Sequence, residues 1–414
     1  MIDTTDGNRK VPVSFFTPSF TLGNMRLAQR ISSLVVESAF DVLARARALE
    51  AKGRHIIHLE IGEPDFDTPR PIVEAAKAAL DEGWTHYGPP QGLPELRRTV
   101  ASRVSQTHGL SVGEQHVCIV PGAKPMIFFP MLALLEAGDE VLYPDPAFPI
   151  YRSMVEFVGA KPVPVPLREE HQFSLDLDFV ADHVTDRTKL IVLNSPENPT
   201  GGIIPESDIR QLAEMVRERD LMILSDEIYS RICYDGPAFS IASVPGMLEK
   251  TIIMDGFSKS YAMTGWRLGY GVMPEWLAEG VRRLMANSNT CAATFVQRAA
   301  IEGLRGPQTE VENMVKEFRR RRDMFCPALN AIPGFRCSLP SGAFYAFVNV
   351  KGTGLESKQV EKILLEEAGV ACLDGAAFGD HGKGFLRLSY ASSFENLTEA
   401  LRRIQEASKL WAGA

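Results

Sequence analysis

The chain has 414 residues, 45% of them hydrophobic and 23% charged, the make-up of a soluble globular protein rather than a collagen-like, low-complexity or membrane-bundle chain. At about 100–200 residues per domain, that length holds two to four domains and a large core. Lys plus Arg number 44 and Asp plus Glu 52, a formal net charge of −8. Nothing global therefore draws the chain to nucleic acid or an anionic membrane, and any anionic ligand has to be caught locally.

Residues 1–24 lack periodicity and carry Pro12, Pro18 and Gly23, which predicts an extended N-terminal arm. The stretch 25–61 has a helical pattern, clearest over 42–51, and is expected to pack with the C-terminal region. From about Pro71 to Gly271, strand-length apolar runs alternate with helical patterns, the layout of an α/β domain with a mainly parallel sheet. Strands are predicted at 116–120, 140–143, 190–194, 221–225, 251–255 and 268–273. Within 206–220, Ile209, Leu212, Met215 and Val216 keep a 3.6-residue period and predict a crossover helix. Beyond about Gly306 the texture changes to a charged helix at 311–330, a strand within 342–350, a helix at 357–368 and a last strand at 385–390. These make a second, α+β domain.

Several familiar motifs fail. Gly122-Ala123-Lys124-Pro125 lacks P-loop spacing, and Gly352-Thr353-Gly354 lacks the third glycine of a dinucleotide loop. His55 and His58 fall on opposite faces of a strand, and the other histidines are dispersed, so no metal is expected. Cys118, Cys233, Cys291, Cys326, Cys337 and Cys372 contain no Cys-x-x-Cys pair. They read as free thiols of a reducing compartment, the cytoplasm. The N-terminus mixes charges without a secretory apolar core, and the apolar run 125–135 is shorter than the ~20 residues of a membrane span.

The chemistry-bearing residues cluster at predicted strand ends, where open α/β sheets place ligands. Lys259, in Asp255-Gly256-Phe257-Ser258-Lys259-Ser260, precedes Arg267, in Thr264-Gly265-Trp266-Arg267. A Schiff-base lysine with a phosphate-binding arginine calls for such a pair. Upstream, Ser225-Asp226-Glu227-Ile228-Tyr229 ends one strand with a carboxylate and a phenol, and Asn194-Ser195-Pro196-Glu197-Asn198-Pro199-Thr200-Gly201 ends another.

In these motifs, their order and their spacing, the chain resembles the class I, fold-type-I aminotransferases that use pyridoxal 5′-phosphate. The resemblance runs from about Gln29 to the C-terminal helix. It is strongest to the bacterial aspartate and related amino-acid branch, through Gly62-Glu63-Pro64-Asp65-Phe66-Asp67-Thr68-Pro69 and Met263-Thr264-Gly265-Trp266-Arg267. It implies that Lys259 binds the cofactor covalently and moves the proton, and that Asp226 pairs with the pyridine nitrogen. Tyr229 and Asn198 would bond the ring hydroxyl, and Phe148 would stack on the ring. Phosphate would be held by Gly122, Ala123 and Lys124 at a helix start, by Arg267 and by Ser258, although Gly256 stands where the family often has a further serine. Tyr87 would reach the phosphate of a second subunit, making a homodimer with shared sites. Arg387 and the Gly62 backbone would hold the substrate α-carboxylate.

The expected organisation is an arm over 1–28, a small domain from 29–62 with 305–414, and a large cofactor domain over 63–304. Adjacent strand residues face opposite ways, so Glu227 should be structural. Transamination between an amino acid and a 2-oxo acid is the expected reaction, with aspartate or glutamate and 2-oxoglutarate as the family-level substrates and aromatic, alanine-type and basic amino acids left open. A β-lyase, synthase or oxidase on the same fold, and a non-catalytic binding or regulatory protein, remain alternatives. The side-chain pocket is expected near 38–40, Tyr87 and Phe128 or Phe129; no second arginine is assigned to a distal carboxylate, and Arg26 and Arg30 are only candidates.

Overall fold

A computed structural model describes residues 26–35 and 38–411. The predicted N-terminal arm lies outside the described residues as far as position 25. Among the described residues the strands form three sheets. In chain order they are β1 (Ile57–His58), β2 (Val117–Val120), β3 (Glu140–Asp145), β4 (Lys161–Pro166), β5 (Thr188–Asn194), β6 (Met222–Asp226) and β7 (Thr251–Gly256). Then follow β8 (Gly269–Val272), β9 (Arg336–Cys337), β10 (Tyr345–Asn349), β11 (Val370–Ala371), β12 (Leu373–Asp374) and β13 (Phe385–Ser389).

The central sheet has seven strands in the order β2-β8-β7-β6-β5-β3-β4. Strands β4, β3, β5, β6 and β7 run parallel, while β8 is antiparallel to both neighbours. β2, β3 and β6 are buried along their whole length, as strands covered by helices on both faces must be. The predicted crossover helix forms over Glu206–Val216 and buries Ile209, Leu212, Ala213 and Val216.

All six predicted strands of this sheet form, and a seventh, β4, went unpredicted because its sequence Lys-Pro-Val-Pro-Val-Pro reads as a breaker. Its position explains the prolines. β4 is an edge strand, and the Lys161 and Leu167 N–H groups bond Asp139 and Asp145 carbonyls on the β3 side. By the two-residue period of a strand, Pro162, Pro164 and Pro166 then turn their missing N–H positions outward, where no ladder is broken.

A four-stranded antiparallel sheet, β12-β13-β10-β9, forms from the C-terminal region. β1 pairs in parallel with β11, so the segment before the large sheet packs with the C-terminal region, as expected. β10 starts at Tyr345 rather than Gly342 because Ala343 takes a left-handed φ of 55° that interrupts the extended run. No helix among the described residues is long and apolar enough to cross a membrane.

Candidate active site

β5 and β6 end side by side, with Asn194 opposite Asp226 and β7 next to them. The turns beyond these ends, the Gly62 segment and β13 enclose a cavity of about 470 Å³. Gly62, Ala123, Lys124, Phe148, Asn198, Asp226, Tyr229, Ser258, Lys259, Arg267 and Arg387 all line it. A larger open groove of about 1240 Å³, between 166–179 and 338–341, gathers none of these groups.

Asp226 ends β6 with its side chain toward the cavity. Oδ2 accepts from the Tyr151 hydroxyl at 2.5 Å and Oδ1 from the Ile228 N–H at 3.1 Å. Burial pushes the carboxyl up to about 7, against the opposing pull of the Tyr151 hydrogen bond. Glu227 turns to the other face, where it accepts from Ser225 and Ser240, in line with the alternation of a strand.

Lys259 follows β7, and its Nζ donates to the Gly62 carbonyl at 2.5 Å. A Cβ on Gly62 would overlap the Tyr345 hydroxyl, so only glycine lets this backbone reach the lysine. The Tyr229 hydroxyl lies 2.7 Å from that of Tyr345, and burial holds the Tyr229 phenol well above its ordinary range.

Arg387 projects from β13. Its Nη1 donates to Asn198 Oδ1 at 3.0 Å and its Nη2 to the Glu60 carbonyl at 2.6 Å, while Nε is buried without a hydrogen-bond partner. The guanidinium lies 4.5 Å from the ring centroid of Tyr345 and 4.9 Å from that of Phe378. Asn198 is fixed in turn, its N–H donating to Asn194 Oδ1, while Asn194 Nδ2 donates to the Asp226 carbonyl.

At the opposite wall, Gly122 has φ +79°, and a Cβ there would overlap the Arg267 guanidinium. Gly122 therefore backs Arg267 rather than lining the cavity itself. Ala123 and Lys124, both in the cavity lining, lead into the helix Pro125–Leu134, and a helix start is a favourable end for an anion. Arg267 Nη1 is braced on the Thr264 carbonyl at 2.9 Å.

Several expectations are corrected. Phe128 packs on Phe157 at 5.9 Å and Phe129 is buried in the core. A helix advances about 100° per residue, so the cavity face of this one carries Lys124 and Ile127 instead. Arg26 and Arg30 are absent from the lining, and Arg30 lies over the Phe157 ring. Besides Lys259, Arg267 and Arg387, the lining holds one further cation, Lys124, 5.3 Å above the Phe148 ring centroid. Ser38 and Phe40 do line the cavity. Tyr87 is 87% exposed and outside its own chain's cavity. Tyr151, Tyr345, Phe378 and Glu63 reach the site without having been predicted. Tyr151, three residues after Phe148, and Glu63, next to Gly62, carried a local signal.

A mostly parallel sheet sandwiched by helices, with an antiparallel partner sheet and a lysine and a carboxylate converging at its strand ends, is the architecture of fold-type-I pyridoxal-phosphate enzymes. Residues 54–404 match the family "Aminotransferase class I and II". The chain is 43% identical over 375 residues to the aspartate aminotransferase of Pyrococcus abyssi, covering 90% of this chain and 94% of that protein. It is also 43% identical to aromatic-amino-acid aminotransferase 2 of Thermococcus litoralis, covering 93% and 99%. The solved structure of the Thermus thermophilus aspartate aminotransferase with maleate superposes with a TM-score of 0.89 at 37% identity, covering 92% of this chain and all of that one. The chain belongs to the class I and II aminotransferases and is a pyridoxal-phosphate-dependent aminotransferase, moving an amino group between an amino acid and a 2-oxo acid.

Proposed function

We propose that the cavity holds pyridoxal 5′-phosphate with its phosphate at Ala123, Lys124, Ser258 and Arg267, the last backed by Gly122, its ring on Phe148 and its carbonyl carbon at Lys259. The donor set fits. A glycine cradle against a guanidinium at a helix start suits a phosphate, and a buried carboxylate suits a ring N–H⁺. When bound, the cofactor supplies a carbonyl that takes the amino group and an electron sink for the substrate Cα.

The chain's own residues do the rest. Asp226 keeps the proton on the ring nitrogen, and Tyr229 and Asn198 hold the ring oxygen. Arg387 grips the substrate α-carboxylate, to which its unpartnered buried Nε is the supporting observation. Lys259 Nζ, beside the Gly62 carbonyl, would move a proton between the substrate Cα and, across the amino nitrogen, the carbon that carried the cofactor's carbonyl. One amino acid leaves as its 2-oxo acid, and a second 2-oxo acid leaves as an amino acid.

The observation that carries this reading is the convergence of Lys259, Asp226 and Arg387 on one cavity. Lys259→Ala tests it. The visible absorption of the lysine-bound cofactor disappears and turnover falls by on the order of 10⁴-fold. An unchanged spectrum overturns the assignment.

For substrates we propose dicarboxylic and aromatic amino donors with 2-oxoglutarate. Phe40, Ile61, Ile127 and Phe378 offer apolar walls, and Lys124 offers a cation for a distal carboxylate. We further propose the division into an arm over 1–28, a small domain of 29–62 with 305–414, and a large domain of 63–304, which the β1–β11 pairing supports. The working unit is a homodimer in which the exposed Tyr87 enters the second subunit's site. The compartment is a reducing cytoplasm, which the six free cysteines support.

A further inference from the structure

Tyr345 lies 86 residues beyond Lys259 in the chain, in no motif that pointed to the site, yet three of the site's elements meet on it. Its hydroxyl pairs with that of Tyr229 at 2.7 Å. That same hydroxyl occupies the space a side chain at position 62 would need, so Gly62 passes directly over it to reach Lys259. Its ring lies 4.5 Å below the Arg387 guanidinium. The sheet sets up the last contact. Phe347 is the register partner of Arg387, and Tyr345, two residues earlier on β10, shares its face.

In a pair of hydroxyls, one donates and the other accepts, and the acceptor keeps its own hydrogen to place elsewhere. The cation over its ring decides which is which here. A guanidinium above an aromatic face draws electron density from it, so the Tyr345 O–H is the stronger donor. The Tyr229 ring meets Phe344 and Tyr345 edge-on, and among the described residues no cation lies over its face.

We propose that Tyr345 is a positioning residue for Tyr229: it donates its hydroxyl hydrogen to the Tyr229 oxygen and so leaves the Tyr229 hydrogen to be given to an anionic oxygen of the ligand in the cavity. This inference rests on the pyridoxal-phosphate reading of the site. It also gives Arg387 a second line of influence. A carboxylate that pairs with the guanidinium reduces its pull on the Tyr345 ring, weakens the donation to Tyr229 and thereby signals occupancy of the carboxylate clamp to the cofactor oxygen.

The test is a pH titration of the visible absorption of the holoenzyme in the wild type, Tyr345→Phe, Tyr229→Phe and the double variant. Tyr345→Phe removes one oxygen from a packed ring, and a thermal melt confirms that the fold is kept. Glu60, Glu63, Lys124, Tyr151, Glu197, Asp226, Lys259, Arg267 and Arg387, titratable and charged groups around the site, are retained in every variant. Loss of the donation leaves the ring oxygen less stabilised as an anion, so the midpoint rises by roughly 0.5–1 pH unit in Tyr345→Phe, the worth of one hydrogen bond. Tyr229→Phe raises it further, and Tyr345→Phe adds nothing in that background. An unmoved midpoint in Tyr345→Phe, or a shift that persists in full when Tyr229 is already Phe, overturns the proposal. A wild type without a lysine-bound band overturns the functional reading itself, before either tyrosine is changed.

Discussion

Asp226 and Glu227 are consecutive acids at one strand end, 3% and 5% exposed, and they look to opposite sides of the central sheet. Glu227 is enclosed. Oε1 accepts from the Ser225 and Ser240 hydroxyls at 2.9 and 2.6 Å, and Oε2 lies 3.4 Å from His108 Nε2. Asp226 accepts from Tyr151 and the Ile228 N–H and opens into the cavity. An ionised carboxylate has about four acceptor positions, so Asp226, with two partners and an open side, retains capacity for a cationic N–H, whereas Glu227 already meets three neighbours in an enclosed place. The same chemical group serves chemistry on one face and cohesion on the other, and the deciding variable is what its partners leave unsatisfied.

That distinction is open to measurement. Asp226→Asn lowers kcat by on the order of 10²–10³-fold with cofactor still bound, because the partner of the ring proton is gone; equal losses in Glu227→Gln would erase the difference between the faces. On the cavity side, Lys124→Ala raises KM for aspartate or glutamate by about tenfold, roughly 1.4 kcal/mol, and leaves aromatic donors nearly unchanged in the same steady-state assay. On the far side, Glu227→Gln costs about 1 kcal/mol in denaturant unfolding and leaves kcat within about threefold. The smallest effect is one of pH. Burial raises Asp226 and Asp255 to about 7 and Glu197 to about 8. Folded-state values above the unfolded ones mean that the native protein binds more protons between about pH 4 and 8, so cofactor-free protein loses stability as pH rises through that window. Asp226→Asn flattens this slope in melts taken from pH 5 to 8. An unchanged slope would show that Asp226 is not held neutral by burial.

The sheet was legible in the chain wherever strands are continuous apolar runs, as in β3, β5, β6 and β7. It was illegible at β4, where prolines that break an interior strand are tolerated on an edge. Lys259, Asp226, Asn198 and Arg267 were legible because their motifs are local and the turns after parallel strands gather them. Tyr345 and Phe378 were not: they come from the same C-terminal region as Arg387 but, unlike it, carry no charge to set them apart from the apolar residues around them. Phe128 and Phe129 were misread because hydrophobicity alone does not tell which side of the helix Pro125–Leu134 faces the cavity and which the core; Ile127 holds the place assigned to them. Arg26 and Arg30 were only candidates for a distal carboxylate, since spacing cannot aim a side chain, and the cavity lining holds Lys124 and neither arginine.

The two ends of the central sheet bear on how copies of this chain can meet. At β4 the outward row of N–H positions is proline, and at β2 the Ile119 N–H is already bonded to the Gln91 carbonyl of a loop laid along it. An incoming strand finds no ladder of donors at the first border and an occupied site at the second, the means by which native sheets resist runaway edge-to-edge growth. Any assembly of two such chains is therefore steered away from a shared, continuous sheet and toward side-chain surfaces, a choice made by three prolines and one loop carbonyl rather than by the interface itself.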